Sequence, residues 1–296
     1  MRRIDPDSRL LRWWSLTGGV SAQTTGLEIE RAGGTSYKLI LRQHAEADRT
    51  RNPNIADDEF KLLYGLRNAG LLVPTPVHID SSGEILPTPY MVMEYIDGTS
   101  DFAPKSLSDA LRQLAATLVG IHRVDHSPFA FLPKQVDLYA ARFEERPATL
   151  DESLSEGRIR AALKKVWPLP QHNDTALLHG DFWPGNVVWK AGELAAVIDW
   201  EDARLSDPLE DLGNTRLEIL WAYGEKAMQE FTECYQTLMP ELDTSVLPCW
   251  DLCAALRPAS KLADWGLDAA TENRFRERHR WFVDQAFERL GLEFDQ

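Results

Sequence analysis

The run His179-Gly180-Asp181-Phe182-Trp183-Pro184-Gly185-Asn186, followed by Ile198-Asp199-Trp200-Glu201, contains the residue types that phosphoryl transfer requires. A carboxylate at Asp181 can orient an attacking hydroxyl and accept its proton. Asn186 and Asp199 offer oxygen donors to a hard cation such as magnesium, which neutralises phosphate charge. The Asp181 to Asn186 separation follows the D-x-x-x-x-N pattern in which one side chain meets the acceptor and the other meets the metal. Asp181 is therefore the candidate catalytic residue, and Asn186 and Asp199 are the candidate metal ligands.

These residues need elements to position them. Val187-Val188-Trp189 and Leu194-Ala195-Ala196-Val197-Ile198 are β-rich runs, and Lys190-Ala191-Gly192-Glu193 between them reads as a hairpin turn centred on Gly192. If Lys190 pairs with Ala195, Asn186 falls opposite Asp199, with Cβ atoms about 4.5–5.5 Å apart. Upstream, residues 13–17, 24–31 and 37–43 read as strands, and Gly18-Gly19-Val20-Ser21 links the first two. Gly18, Gly19 and Ser21 could leave backbone amides open to phosphates. The third strand ends in Arg42, a cation for the same phosphates, and Lys38 shares its strand face as a second choice. Residues 55–69 follow a helical period that Gly70 ends. There Glu59 lies amid Ile55, Leu62, Leu63 and Leu66, so its carboxylate needs a buried partner, and Arg42 is the natural one. Residues 71–80 and 90–95 read as strands leading into a hinge at 96–98, where the backbones of Glu94 and Ile96 could bond an adenine edge.

The remainder reads as mainly helical, with helices expected near 107–121, 209–223, 225–239, 247–266 and 271–291, the fourth interrupted by Pro258. Residues 151–157 read as an exposed acidic loop. The fold class expected is α+β, with a β-rich nucleotide-binding lobe over residues 1–96 and a helical catalytic and acceptor-binding lobe over 97–296.

Bulk properties narrow the function classes. The 296 residues are 44% hydrophobic and 26% charged, ordinary for a soluble globular protein with a substantial core. The net charge of −14 is unevenly spread: residues 1–96 carry 12 acidic and 11 basic side chains, residues 97–296 carry 34 and 21. Such a field disfavours nucleic acid and anionic membranes as partners and attracts a cationic small molecule. The first thirty residues lack a signal-like apolar run and no stretch is long enough to span a bilayer, so a cytoplasmic location is expected. Cys234, Cys249 and Cys253 form neither a disulfide framework nor a zinc motif.

Taken together, Gly18-Gly19-Val20-Ser21, Leu41-Arg42, Glu59, Met93-Glu94-Tyr95, His179 to Asn186, Ile198-Asp199-Trp200-Glu201, Asp207-Pro208 and Asp211-Leu212 resemble the aminoglycoside phosphotransferase and choline kinase family, the small-molecule branch of the protein-kinase-like fold. The resemblance spans nearly the whole chain. It implies Asp181 as base, Asn186 and Asp199 as magnesium ligands, Arg42 with Glu59 as phosphate clamp, and His179 as a brace for its loop. It also implies ATP as donor, with GTP as the alternative. Trp183, Asp207 and Asp211 are expected to act structurally; Glu201 and Asp202 could face a cationic acceptor, with a solvated loop the first expectation. Gly180 stands where protein kinases carry Arg, Trp200-Glu201 replaces Phe-Gly and no A-P-E segment follows, which disfavours a regulated protein kinase. The acceptor it implies is a hydroxylated small molecule. A cationic antibiotic such as an aminoglycoside is the first choice; a macrolide or a metabolite such as choline, ethanolamine or homoserine is the alternative. A nucleotide-binding pseudoenzyme is more remote.

Overall fold

A computed structural model of the chain describes residues 4, 6–16, 22–100, 103–134 and 149–291. Gly18, Gly19 and Ser21 lie outside them. The chain divides into two compact units, one comprising Met1–Thr99 with Val188–Lys190 and Ala195–Glu201, the other comprising the rest.

The first unit is built on five antiparallel strands in the order β1 (Arg9–Leu16), β2 (Ala22–Glu30), β3 (Ser36–His44), β5 (Tyr90–Glu94), β4 (Pro76–Asp80). Two helices follow β3, a short α1 (Glu46–Arg51) and then α2 (Ile55–Asn68). Strand alternation sorts the side chains between two faces. Leu27, Ile29, Leu39, Tyr90 and Val92 form an apolar cluster on one face. Ile40 and Arg42, paired with Met93 and Met91 of β5, point to the other. The α2 helix packs on β3, β4 and β5 and buries Ile55, Leu62, Leu63 and Leu66. Gly70, with φ of +86°, takes the left-handed position beyond its end. Residues 71–75 do not join the sheet: Pro74 and Pro76 bracket Thr75, and proline has no amide to give a ladder. Strand β4 therefore begins only at Pro76.

In the second unit α3 (Leu107–His122) presents Leu111, Leu114, Leu118 and Ile121 as a buried stripe and is capped by Ser106, whose hydroxyl accepts from the Asp109 amide at 3.3 Å. Residues 151–157 do not form the exposed loop expected of them. Leu154 and Glu156 are buried, and Glu156 opens α4 (Glu156–Val166). The Asp151 amide bonds the Glu156 carboxylate at 2.8 Å, so acids that suggest a solvated loop serve instead to start a helix. Next in sequence come β6 (Ala176–Leu178), β7 (Val187–Lys190), β8 (Glu193–Val197) and β9 (Arg204–Ser206), of which β7 and β8 belong mostly to the first unit. β6 pairs with β9, and β7 with β8. The β7–β8 turn has Ala191 at φ +55° and Gly192 at φ +88°, the two-residue arrangement whose twist suits a hairpin; it sets Lys190 against Glu193 rather than Ala195, so the register expected to put Asn186 opposite Asp199 does not form.

Four further helices, α5 (Leu209–Tyr223), α6 (Glu225–Leu238), α7 (Leu247–Ala255) and α8 (Ala269–Arg289), complete the description. α5 packs against α6, α7 and α8 and is buried almost all round, as befits the central helix of a bundle. The bidentate pair of Arg216 with Asp251, at 2.9 and 3.1 Å, ties α5 to α7, and Arg216 also donates to Thr232 of α6 at 2.6 Å. α7 stops short of Pro258, well before the expected end at 266, because proline cannot supply the next helical amide.

Candidate active site

In the first unit the site gathers around Arg42. Strand β3 places Arg42 and His44 on the face covered by α2, and both are buried. Arg42 Nη2 donates to Asp199 Oδ1 at 2.5 Å and to Glu201 Oε2 at 2.6 Å, while its Nε lies 3.5 Å from Glu59 Oε2. The same Glu59 oxygen meets His44 Nε2 at 2.6 Å. Burial works against the guanidinium charge, but Glu59, Asp199 and Glu201 outweigh it and raise the arginine pKa further. Arg42, Glu59 and Asp199, distant in sequence, thus form one cluster. Asp199 has φ of +67°, a left-handed conformation that Asp tolerates better than most residues.

Glu201 does not lie on a solvated loop. Its side chain is only 11% exposed and is bound to Arg42. The sequence carried no cue for this, since a two-residue step from Asp199 fixes no direction outside a regular strand. His44 had one: it shares strand parity with Arg42, two residues away. Lys38 Nζ is held by Asp97 at 2.9 Å and lies over the Tyr95 ring, 5.1 Å from its centroid. At the end of β5 the Glu94 amide donates to the Thr75 carbonyl at 2.8 Å, and the Glu94 carboxylate accepts from Thr75 Oγ1 at 2.6 Å. No hydrogen bond of the Ile96 backbone occurs among the described residues.

In the second unit the loop from His179 to Asn186 is fixed largely through its backbone. It leaves β6 at Gly180, where φ is +85° and a Cβ would collide with the Asp202 carbonyl and the Arg204 guanidinium. Any side chain there is excluded, which accounts for glycine where arginine would mark a protein kinase. Asp211, in the first turn of α5, accepts the His179 and Gly180 amides at 2.7 and 2.9 Å. It is fully buried, and desolvation alone would raise its pKa. His122 at 3.3 Å and the charge of Arg204 reverse that and leave the pKa lowered, so it serves as an ionised acceptor. Tyr235 completes the brace through His122 Nδ1 at 2.6 Å. Asp207 accepts the Leu209 amide at 2.9 Å at the start of the same helix. The His179 ring takes the Asp181 amide on Nδ1 at 3.2 Å, a supporting geometry.

The Asp181 side chain is engaged on both oxygens. Asn186 Nδ2 donates to Asp181 Oδ2 at 3.2 Å and to its carbonyl at 2.9 Å. Arg257 Nη2 donates to Oδ1 at 2.7 Å, and Arg257 Nη1 donates to the Gly180 carbonyl at 2.5 Å. Glu218 of α5 feels the same charges: burial first and Asp181 second push its pKa up to about 8, against the pull of Arg257. Sequence reasoning missed Arg257 and Glu218. The first lies 76 residues from Asp181 with no motif around it. The second had a faint signal as an acid in an otherwise apolar stretch of helix.

The donor chemistry suits a hard cation. In the second unit Nδ2 of Asn186 is committed to Asp181, which leaves the carbonyl oxygen of that amide as an oxygen donor; in the first, taken by itself, Asp199 offers a carboxylate with 30% of its side chain exposed. Among the described residues no group of three or more His, Cys, Asp or Glu side chains is arranged as a cage. Magnesium needs none, since it keeps waters and takes oxygens from substrate phosphates.

The profile of the phosphotransferase enzyme family matches residues 15–242. The chain belongs to this family. Among curated relatives it is 28% identical over 193 residues to acyl-CoA dehydrogenase family member 10 of Mus musculus, covering 59% of the chain and 18% of that protein. It is 26% identical over 208 residues to viomycin phosphotransferase of Streptomyces vinaceus, covering 65% of the chain and 70% of that protein. The match thus spans about a fifth of the first relative. A thermostable mutant of aminoglycoside phosphotransferase APH(4)-Ia, solved with AMP-PNP and hygromycin B, superposes with a TM-score of 0.65 at 19% identity, covering 93% of this chain and 94% of that one. The fold is the protein-kinase-like one, with a β-rich N-terminal region and a helical C-terminal region. Among the described residues no helix is long and apolar enough to cross a membrane.

Proposed function

We propose that the chain transfers the γ-phosphate of ATP to a hydroxyl of a cationic small molecule, with residues 1–96 binding the nucleotide and residues 97–296 the acceptor. The observation that carries this reading is the held carboxylate of Asp181, bonded through Asn186 on one oxygen and set on a loop whose amides are tied to buried Asp211. An acceptor hydroxyl is oriented by Asp181, which takes its proton as the phosphoryl group moves. Arg42 neutralises phosphate charge, steadied by Glu59; Gly18, Gly19 and Ser21, outside the described residues, are the proposed backbone contacts to the phosphates. Glu94 and Ile96 present backbone atoms to the adenine edge; the engaged Glu94 amide makes its carbonyl and the Ile96 amide the natural pair. Asn186 Oδ1 and Asp199 would hold magnesium, which when bound neutralises the transferring phosphates. Catalysis is then mostly positioning and preorganised charge.

Viomycin phosphotransferase and the hygromycin B complex support an antibiotic acceptor, and the acidic excess of the C-terminal part supports a cationic one. ATP as donor suits the cytoplasm. The test is magnesium-dependent ADP release with ATP or GTP across aminoglycosides, peptide antibiotics, macrolides, amino alcohols and hydroxy amino acids, with Asp181→Ala alongside. Acceptor-stimulated release that falls by about 10²–10⁴-fold in the variant is expected. Undiminished release in Asp181→Ala would remove the base assignment, and silence across the panel despite nucleotide binding would favour a pseudoenzyme.

A further inference from the structure

We infer that Arg257 is a positioning residue for Asp181, a two-point clamp that holds the acceptor-facing carboxylate in its working orientation. The inference rests on the reading of Asp181 as the base. One guanidinium bonds both the backbone and the side chain of the same turn: Nη1 to the Gly180 carbonyl at 2.5 Å and Nη2 to Asp181 Oδ1 at 2.7 Å. The planar fork of arginine can span those two acceptors at once, which a lysine ammonium cannot do with the same rigidity. Asn186 holds the other carboxylate oxygen at 3.2 Å, so donors on both sides restrict rotation about the side-chain bonds. A carboxylate has about four lone-pair sites, so one donor on each oxygen does not by itself close it to a substrate hydroxyl.

The placement of Arg257 has a structural cause. α7 ends at Ala255 and Pro258 forbids its continuation. Arg257 therefore sits in the closing turn, its amide bonded to the Ala254 carbonyl at 3.0 Å. Two carboxyl groups, Asp181 and Glu218, lie within its electrostatic reach. Its charge favours the ionised form of both, although burial and Asp181 outweigh it at Glu218. The Gly180 carbonyl receives a second, longer bond from Arg204 Nη2 at 3.4 Å, but Arg204 is committed to Glu210 at 2.6 Å. Arg257 thus joins this turn to the Asp181 carboxylate from one side, as Asn186 does from the other.

The test compares wild type, Asp181→Ala, Arg257→Ala and Arg257→Lys in steady-state transfer to the best acceptor, with nucleotide KM and thermal unfolding measured for each. Arg257→Ala is expected to lose about 10²-fold in kcat with ATP KM nearly unchanged, as for a misplaced catalytic group. Arg257→Lys should regain part of that loss, because it restores one contact and the charge. Should Arg257→Ala fold poorly, Arg257→Gln takes its place, with the same fall in kcat expected at a wild-type unfolding temperature. Wild-type kcat in a folded Arg257→Ala or Arg257→Gln, while Asp181→Ala is inactive, overturns this inference alone. Full activity in Asp181→Ala overturns it together with the base assignment. A loss confined to KM with kcat intact makes Arg257 a binding residue and overturns it too.

Discussion

At the scale of single residues, the site is a set of charges whose protonation the fold controls. Glu218 is the clearest case, half-buried beside Asp181 with its pKa pushed up to about 8. A carboxyl with a raised folded-state pKa binds its proton more tightly in the native than in the unfolded chain. Its contribution is fully present at low pH and is lost as the pH climbs from the ordinary carboxylate range through about 8. Melting temperature should therefore decline across that window in the wild type and decline less in Glu218→Gln; parallel profiles would show that Glu218 titrates normally. Asp181 and Asn186, which the structure joins by hydrogen bonds, could be singled out together because they lie within one short segment. Arg42 and Glu59 were legible by a different route, strand parity on one side and a carboxylate on an apolar helical stripe on the other. Glu201 was misread because its partner Arg42 lies 159 residues away in the chain. Arg257 was missed for the same reason: long-range pairing leaves no local trace.

At the scale of elements, the helices with a single apolar stripe were the easiest to read. α3 runs from Leu107 to His122, close to its expected span, since Leu111, Leu114 and Leu118 recur at helical spacing. α4 was hidden because its opening residues, Ser155 and Glu156, follow an acidic run that reads as loop. β6 and β9, three residues each, are too short to show alternation, yet they set the loop that carries Asp181. A buried ion pair ties α5 to α7. Asp251 is fully buried and bonds Arg216 bidentately, so Asp251→Ala would strand a guanidinium inside the bundle. That substitution is expected to cost about 3–5 kcal/mol, read from the urea midpoint at unchanged slope. A loss below about 1 kcal/mol would mean that water or Thr232 satisfies Arg216 without its partner.

At the scale of the whole molecule, the net charge of −14 is the property that acts beyond contact distance. A cationic acceptor should be drawn toward this field, and salt should weaken the attraction as the Debye length falls to about 10 Å at 0.1 M. The KM of a polycationic acceptor is therefore expected to rise with ionic strength while that of an uncharged acceptor stays level. Equal responses would remove charge from the account of specificity. Composition indicated this bias but not where it acts: beside Asp181 the structure sets the cationic Arg257 as well as Glu218. The central claim is that Asp181 directs phosphate onto an acceptor hydroxyl. The measurement that tests it most directly is mass analysis of the acceptor after a single turnover with ATP and magnesium, in wild type and Asp181→Ala at saturating nucleotide. A phosphate ester on the acceptor in the wild type, formed orders of magnitude more slowly in the variant, is the predicted result. Phosphate released only to water, or an ester formed equally fast without the Asp181 carboxylate, would contradict it.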